Sequence, residues 1–519
     1  MTKYFEKNFK KTRLYNMLAN SAVGIIVTLL QVALNYVVRI VLVNELGPEI
    51  NGLHNLFQSI VNVMTLMETG FSTALIIHLY KPVEFKDEKS IIEVMSFYKK
   101  IYTIIGISLL AIGLLIDVFI IDSIVTTTIP MVQVKIYFLI FVLSFALYYY
   151  TYYKKSILFA DQKNRINTLA VFISEFIFRI LEIIFAVAFH SYFIFLVLMI
   201  LEKLCCNLIC NIYINKNYPY LKKFTCVKVG KRIKRSVFKT FVPIFIYNIS
   251  STIQQSAKSI LISYFLGDIS FVGYFGNYQL VTNAAFLLYG QFGSAYTSAI
   301  GNLSVLGDNK KLYKFYRECS FWMNWCAILI ASGIVACIQD FIILTFGKDY
   351  ILPISCVAFL VVDMLVYLFS IPIISIQNAI GLHYLDKNVM IFQAIVSIIL
   401  GFFGGKYYNI QGILFGLTLP QILFTLFYKG MIVNKKLFDL PFISYIKITL
   451  NDIIKSATTI YVCYFMCSLV SLPNIILDFL CKVILTIVIC FLLCFLFSYK
   501  NKYFIDSLNK IVIYLKRGK

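Results

Sequence analysis

Apolar stretches of about 20 residues or more follow one another along almost the whole 519-residue chain. A helix needs roughly 20 mainly apolar residues to cross a bilayer, and lipid offers no hydrogen-bond partner to an open backbone. The chain is 60% hydrophobic and 14% charged, whereas average soluble domains carry about 25% charge. The sequence therefore predicts an all-α integral membrane protein and excludes a water-facing globule.

Fourteen stretches are long enough to serve as transmembrane spans. They lie at residues 18–43, 53–79, 101–121, 129–153, 166–190, 192–214, 238–266, 271–300, 321–346, 351–380, 389–408, 410–433, 453–471 and 474–498. The hairpin formed by spans 11 and 12 is the shortest, and its division is the least strongly marked in the sequence.

The basic residues give an independent check, because Lys and Arg accumulate in cytoplasmic loops. With the N-terminus inside, 39 of the 47 Lys and Arg residues fall in inner segments, and only Lys348 and Lys406 lie on the outer side. One span more or fewer would place the basic tail outside. The pattern therefore predicts about 14 spans with both termini in the cytoplasm. Topology also explains the net charge of +22, so we expect no nucleic-acid partner.

The cysteines and histidines show no spacing typical of a metal site or a catalytic centre. The 13 cysteines include no CxxC pair, and the four histidines lie far apart. Structural zinc sites and nucleophilic triads both need such side chains in recognisable combinations. We therefore expect a transporter rather than an enzyme, with no cofactor and no metal.

The two halves of the chain resemble each other at an offset of about 220 residues. In RIVLVNELGPEINGLHNLFQ (39–58) and KSILISYFLGDISFVGYFGNYQ (258–279), a cation is followed by Leu-Gly, a second glycine, an aromatic residue and a glutamine. Six helices per repeat give both halves the same orientation. This repeat predicts two pseudo-symmetric six-helix lobes around a central cavity. The predicted parts are an N-lobe (1–215), a basic linker (216–237), a C-lobe (238–434), spans 13 and 14 (435–498) and a basic tail (499–519).

Two segments resemble the polysaccharide exporter family. They are LGPEINGL (46–53), after the basic residue in span 1, and TGFSTAL (69–75) in span 2. That family contains flippases of lipid-linked oligosaccharides within the multidrug/oligosaccharidyl-lipid/polysaccharide exporter superfamily. The resemblance implies transport of an undecaprenyl-diphosphate-linked oligosaccharide to the outer leaflet of a prokaryotic plasma (inner) membrane, by alternating access and for surface polysaccharide biosynthesis. It also implies membrane lipids, a glycan polymerase and glycosyltransferases as partners.

Several spans carry charged side chains, which are costly at mid-bilayer and usually face a cavity or a partner. Arg39 and Lys258 occupy near-equivalent places in the two repeats, and a diphosphate needs such cations. Snorkelling to the outer interface is the alternative. Glu175, Arg179 and Glu182 share one helical face, which is consistent with a self-neutralising ladder or with a cavity arginine beside acids that carry a coupling proton.

Lone acids and amides complete the predicted site. Glu68 and Asp363 suit either a proton or sodium site or a structural hydrogen bond. Amide side chains of the repeat helices suit either sugar hydroxyls or helix–helix hydrogen bonds; they are Gln31, Asn35, Asn248, Gln255, Asn277 and Gln279.

Two other functions remain open from the sequence. A cation-coupled multidrug exporter of the same superfamily commonly has twelve helices and an acidic cavity, whereas this chain has an extra helix pair and paired cations. An integral-membrane glycan polymerase needs a long outer loop or a surface carboxylate cluster. The flippase is the function that the sequence favours.

Overall fold

The computed structural model describes residues 2–161, 163–221, 230–305, 308–380, 382 and 385–506. Within these ranges nearly every residue is helical and no strand occurs. In chain order the α-helices are α1 (Thr2–Met64), α2 (Leu66–Glu84), α3 (Glu88–Phe119), α4 (Ile121–Ile124), α5 (Met131–Tyr152), α6 (Ser156–Ala160), α7 (Asn164–Phe189), α8 (Tyr192–Asn217), α9 (Lys231–Leu266), α10 (Ser270–Val305), α11 (Asn309–Thr345), α12 (Ile354–Ile380), α13 (Lys387–Pro420), α14 (Lys429–Phe438), α15 (Phe442–Ser468) and α16 (Ile475–Ser498). A π-helix (Gln421–Tyr428) joins α13 to α14.

Two of these helices are broken where the sequence divides adjacent spans. The backbone leaves the helical region at Gly47 in α1, and at Tyr408 and Asn409 in α13. The helix α2 continues the second half of α1, and the π-helix and α14 continue the second half of α13. With these joins and the two breaks, the long helical segments of the described residues match the fourteen predicted spans one for one. The predicted all-α fold is thereby confirmed.

By length and composition alone, eight of the described helices are apolar enough to cross a membrane. Helix α7 is not among them. It carries Glu175, Arg179 and Glu182 within about two turns, and charge of this density is expensive in lipid unless protein surrounds it. Helix α7 packs against α1 and α8, which cover part of its surface, whereas its residues Ile173, Phe176 and Ile184 are exposed.

The chain divides into two compact units, residues 1–276 and 277–519. The first contains α1–α9 and the first turns of α10, and the second contains the remainder. The predicted lobes were defined by the sequence repeat, and their limits remain a prediction. Much of the predicted linker and tail, residues 222–229 and 507–519, lies outside the described residues.

The sequence repeat has counterparts in the backbone. Gly47 (φ 85°) and Gly267 (φ 65°) both adopt the positive φ that favours glycine, and each interrupts or ends a long helix. Asp87 and Asp308 cap α3 and α11 in the same way, with each carboxylate accepting from a backbone N–H of the first turn. Hydrogen bonds from Ser90 hold the pKa of Asp87 below its usual value.

Two polar clamps fasten the extra C-terminal pair, α15 and α16, to α11. Asn324 Nδ2 of α11 donates to Asp452 Oδ2 of α15 at 2.9 Å. Lys482 Nζ of α16 lies 2.7 Å from Asp340 Oδ2 of α11 and 2.6 Å from Asp478 Oδ2. The two α11 residues are about 24 Å apart along the helix at 1.5 Å per residue, so both ends of the pair are held.

Replacing Lys482 by methionine (K482M) is expected to loosen α16, because Asp340 and Asp478 would lose their cation in an apolar setting. The side chains of Asp340 and Asp478 are 19% and 9% exposed, so we expect a loss of about 1–3 kcal/mol rather than the larger cost of a fully buried pair. Thermal unfolding in detergent measures it. K500M removes an exposed lysine as a matched control, and equal melting temperatures of the two variants would contradict the clamp.

Candidate functional site

The guanidinium of Arg39, in the first half of α1, is bonded to two asparagines of the second half. Nη2 donates to Asn55 Oδ1 at 2.7 Å, and Nη1 donates to Asn51 Oδ1. The break at Gly47 turns the second half of α1 back toward the first and makes these bonds possible. Arg179 of α7 is close enough to interact electrostatically with Arg39. Arg39 is therefore a cation held by two neutral amide side chains inside a helical bundle.

Lys258 lies in α9 and is only 4% exposed. Helix α9 packs against α1 and α2 within the first unit, and Lys258 interacts with neighbouring groups there. A head group buried to this extent is not one that snorkels to the interface. Arg39 is half-buried, so the two repeat-related cations both have protein around them.

The three charged residues of α7 share one face, as their spacing predicts. Arg179 Nη1 donates to Glu182 Oε2 at 2.7 Å, and Glu175 Oε2 accepts from Gln31 Nε2 of α1 at 2.5 Å. Glu182 is 1% exposed. Its Oε1 atom has no hydrogen-bond partner among the described residues, and neither has Arg179 Nε. The ladder is therefore not fully satisfied by its own members.

Helix α8 adds two charged residues to this group. Arg179 Nη2 lies 3.7 Å from Glu202 Oε2, and Lys203 Nζ lies 2.9 Å from Glu202 Oε1. We call Glu175, Arg179, Glu182, Glu202 and Lys203 the charge cluster. It holds three carboxylates and two cations, so it has an excess of one negative charge when all are ionised. An apolar interior favours neutralising such an excess with a proton or a cation.

Glu68 of α2 lies beside a group of tyrosines in the core of the first unit. Its Oε1 atom accepts from the hydroxyl of Tyr102 at 3.3 Å. The rings of Tyr149 and Tyr152 lie 6.1 and 5.6 Å from that of Tyr102. Glu68 is therefore a hydrogen-bonded acid within an aromatic core.

The Leu-Gly hairpins of the two repeats meet each other in the first unit. Asn51 Nδ2 donates to the Gly273 carbonyl at 3.1 Å. A Cβ added to Gly52 would overlap the Ile269 carbonyl, and one added to Gly273 would lie 2.7 Å from the Pro48 carbonyl. Residues 48–55 and 269–276 thus approach at backbone distance, on the predicted outer side, and we call this the outer hairpin contact. Gly52 and Gly273 are the equivalent second glycines of the repeat.

Asp363 of α12 belongs to a polar core in the second unit. Its Oδ1 atom accepts from Gln421 Nε2 at 2.8 Å, and Thr425 donates to Gln393 Oε1 at 2.8 Å. Gln421 and Thr425 both lie on the π-helix. A π-helix is rare and often marks a functional position, so the second unit carries its own intramembrane acid beside irregular backbone.

The remaining predicted amides are distributed between the units. Asn35 and Gln255 are exposed, whereas Gln254, beside Gln255, is 4% exposed. Asn277 is fully buried and Gln279 is half-buried in the second unit. Asn248 is half-buried in α9 and interacts with neighbouring groups. Among the described residues, no three His, Cys, Asp or Glu side chains form a group suited to a metal ion.

Comparison with known proteins shows which solved structures share this helix arrangement. No family model and no curated protein matches the chain. A structure described as lipid II flippase MurJ in an inward closed conformation matches 92% of the chain and 99% of its own, at 16% identity and a TM-score of 0.66. An inward-facing multidrug resistance MATE transporter of the MOP superfamily matches 80% of the chain and 98% of its own, at 15% identity and a TM-score of 0.64.

A MOP superfamily transporter from Pyrococcus furiosus matches 81% of the chain and 96% of its own, at 16% identity and a TM-score of 0.55. All three matches cover nearly the whole of the solved chain. The chain has the MOP transporter fold. The resemblance of the two sequence segments implied the fold of this superfamily, and that fold is confirmed. Identities of 15–16% carry no conclusion about the substrate.

Within this MOP fold, sequence reasoning missed two buried groups. Glu202 and Lys203 are not among the predicted site residues, yet they lie in the middle of α8 and complete the charge cluster. Lys155 follows the predicted span 129–153, yet it is 1% exposed, with Nζ 3.1 Å from Cys206 Sγ and 4.5 Å from the Tyr148 ring centroid. The Glu-Lys pair inside a span was the available signal, whereas nothing in the sequence marks the folding of residues 153–160 into the core.

Proposed function

We propose that this chain is a flippase that moves a lipid-diphosphate-linked oligosaccharide from the cytoplasmic to the outer leaflet by alternating access. The observation that carries the proposal is the pair of repeat-related cations, Arg39 and Lys258. Each stands about two helical turns before a positive-φ glycine, and each lies among protein groups rather than in an outer loop. A diphosphate needs such cations, and a guanidinium binds its oxygens in bidentate fashion.

Apolar clefts in the second unit support a substrate with a long lipid tail. One of about 400 Å³ lies between α11 and α16 and includes Gly333, Phe341 and Val483. Another of about 370 Å³ lies between α12, the π-helix and α15 and is lined almost entirely by aliphatic and aromatic side chains. Both clefts involve the extra C-terminal pair, which gives that pair a role in accepting an isoprenoid chain.

Neutralising either cation (R39A or K258A) is expected to lower flipping at least tenfold, because charge-assisted hydrogen bonds to phosphate are worth about 1.5–3 kcal/mol. Purified variants in proteoliposomes with a fluorescent undecaprenyl-diphosphate oligosaccharide measure the rate directly. K406A removes an exposed cation at the predicted outer end of span 11 and serves as the control. Wild-type rates in both R39A and K258A would rule out the diphosphate role.

A cation-coupled multidrug exporter is the second candidate, and the charge cluster favours it. Three carboxylates against two cations in one bundle suit uptake of a proton or a sodium ion. The two candidates differ in cargo, so ethidium export that depends on a proton or sodium gradient, without flipping of the glycolipid, would replace the first proposal by the second.

A further inference from the structure

The two asparagines that hold Arg39 also line the outer hairpin contact. Asn51 accepts from Arg39 through Oδ1 and donates through Nδ2 to the Gly273 carbonyl at 3.1 Å. Asn55 accepts from Arg39 at 2.7 Å, and its amide fills the space where Gly276 has no Cβ. The side-chain amide of Asn51 therefore connects Arg39 on α1 to the backbone of α10. Rotating Asn51 to release Arg39 also disturbs its bond to Gly273.

A second set of bonds holds the same contact without Arg39. The Glu49 carboxylate accepts from the hydroxyl groups of Thr127 and Thr128 and from the Thr128 backbone N–H. In the segment between α4 and α5, the Thr126 carbonyl accepts from Ile269 N at 3.0 Å. This loop therefore contacts both hairpins. Since it contains no cation, an anion bound at Arg39 would leave this second set unchanged.

We propose that Asn51 and Asn55 are a latch on the outer hairpin contact, and that an anionic head group releases it by taking Arg39 from them. The release step rests on the proposed function, since it takes a diphosphate as the anion. Phosphate oxygens are charged acceptors and bind a guanidinium more strongly than neutral amide oxygens do. An asparagine that loses its cation has a buried acceptor to satisfy again, and its rotation weakens the contact with Gly273.

The physical consequence is that one side chain, Arg39, takes part both in binding the diphosphate and in opening the outer hairpin contact. With Arg39 on the asparagines, the two hairpins are held together on the predicted outer side. With Arg39 on the diphosphate, the Glu49 set still holds the hairpins, and the bond from Asn51 to Gly273 is weakened. Differential contact of this kind is what a ligand needs in order to shift a conformational equilibrium. Asn51 and Asn55 are thus positioning residues, which act on the substrate through Arg39.

Hydrogen–deuterium exchange in nanodiscs tests the latch directly. We expect N51A and R39A, without ligand, to exchange roughly two- to tenfold faster than wild type in peptides covering 45–58 and 262–276, the range that loss of one hydrogen bond gives. Saturating undecaprenyl diphosphate should raise exchange of the wild type in the same peptides and should add nothing in R39A. N62A removes an exposed asparagine of the same helix and should match wild type.

A second variant separates the two bonds of Asn51. N51D keeps an acceptor for Arg39 and loses the N–H that reaches Gly273. Exchange of residues 262–276 should therefore rise while Arg39 stays bound to residue 51. Added diphosphate should then release Arg39 less than it does in the wild type. Unchanged exchange in N51A and R39A would overturn the latch. Faster exchange in these variants, with no response of the wild type to bound diphosphate, would overturn the release step.

Binding of the diphosphate is measured separately, as the amount of radiolabelled undecaprenyl diphosphate that the protein retains. If the wild type binds none, the proposed function and the release step both fail, whereas the comparison of ligand-free variants still decides whether the latch exists. The two failures are therefore distinguishable.

Discussion

Replacing Arg179 by methionine (R179M) is expected to destabilise the protein by about 3–5 kcal/mol, the usual cost of leaving a buried ion pair without one partner. Arg179 is the only cation within 4 Å of Glu182 among the described residues, and it also lies 3.7 Å from Glu202. The side chains of the two glutamates are 0% and 3% exposed. Thermal unfolding followed by size-exclusion chromatography in detergent measures the loss.

A double variant provides the control for this prediction. R179M/E182Q removes the cation together with the carboxylate that depends on it most, and apolar or neutral replacement of a whole buried pair is often tolerated. We therefore expect it to recover most of the melting temperature that R179M loses. If R179M and the double variant unfold alike, Arg179 stabilises through its packing and not through charge.

The span pattern was predictable because lipid fixes helix length and the basic residues fix the parity of the spans. The predicted division between residues 408 and 410 coincides with the break at Tyr408 and Asn409. The Leu-Gly repeat likewise predicted where Gly47 and Gly267 interrupt the helices. These features depend on local sequence alone, and a single chain contains all the information they need.

Contacts between helices were not predictable, because helix rotation depends on neighbours that one sequence does not identify. Gln255 is a predicted site residue, yet it is exposed, whereas the neighbouring Gln254 is buried. The bonds from Arg39 to Asn51 and Asn55 depend on how far α1 turns at Gly47. The shared face of Glu175, Arg179 and Glu182 was predictable, since i, i+3 and i, i+4 spacing decides it within one helix.

Replacing Gly52 by alanine (G52A) is expected to open the outer hairpin contact, because the added Cβ has no room. It would overlap the carbonyl oxygen of Ile269 and approach its Cγ1 to 3.1 Å. The first obstacle is backbone, so no change of rotamer relieves it. Overpacking of this kind costs about 1–3 kcal/mol, which lowers the population of the closed contact roughly five- to 150-fold. Under the proposed flippase function, we expect the flipping rate to fall with the population of the closed contact.

The position of the obstacle separates this effect from a general loss of stability. The added Cβ of G276A would meet the side-chain amide of Asn55, which can move. The second substitution N55A should therefore remove the overlap in G276A. No single side-chain change should remove the overlap in G52A, because the obstacle there is backbone. G24A adds the same methyl group to α1 where no described atom lies within 4 Å, and it should flip at the wild-type rate. Faster exchange of residues 262–276 in G52A, without faster exchange in the rest of the protein, is the expected result. If G52A exchanges and flips like G24A, the repeat-related glycines are not needed for the close approach of the two hairpins. The outer hairpin contact then has no role in the proposed transport.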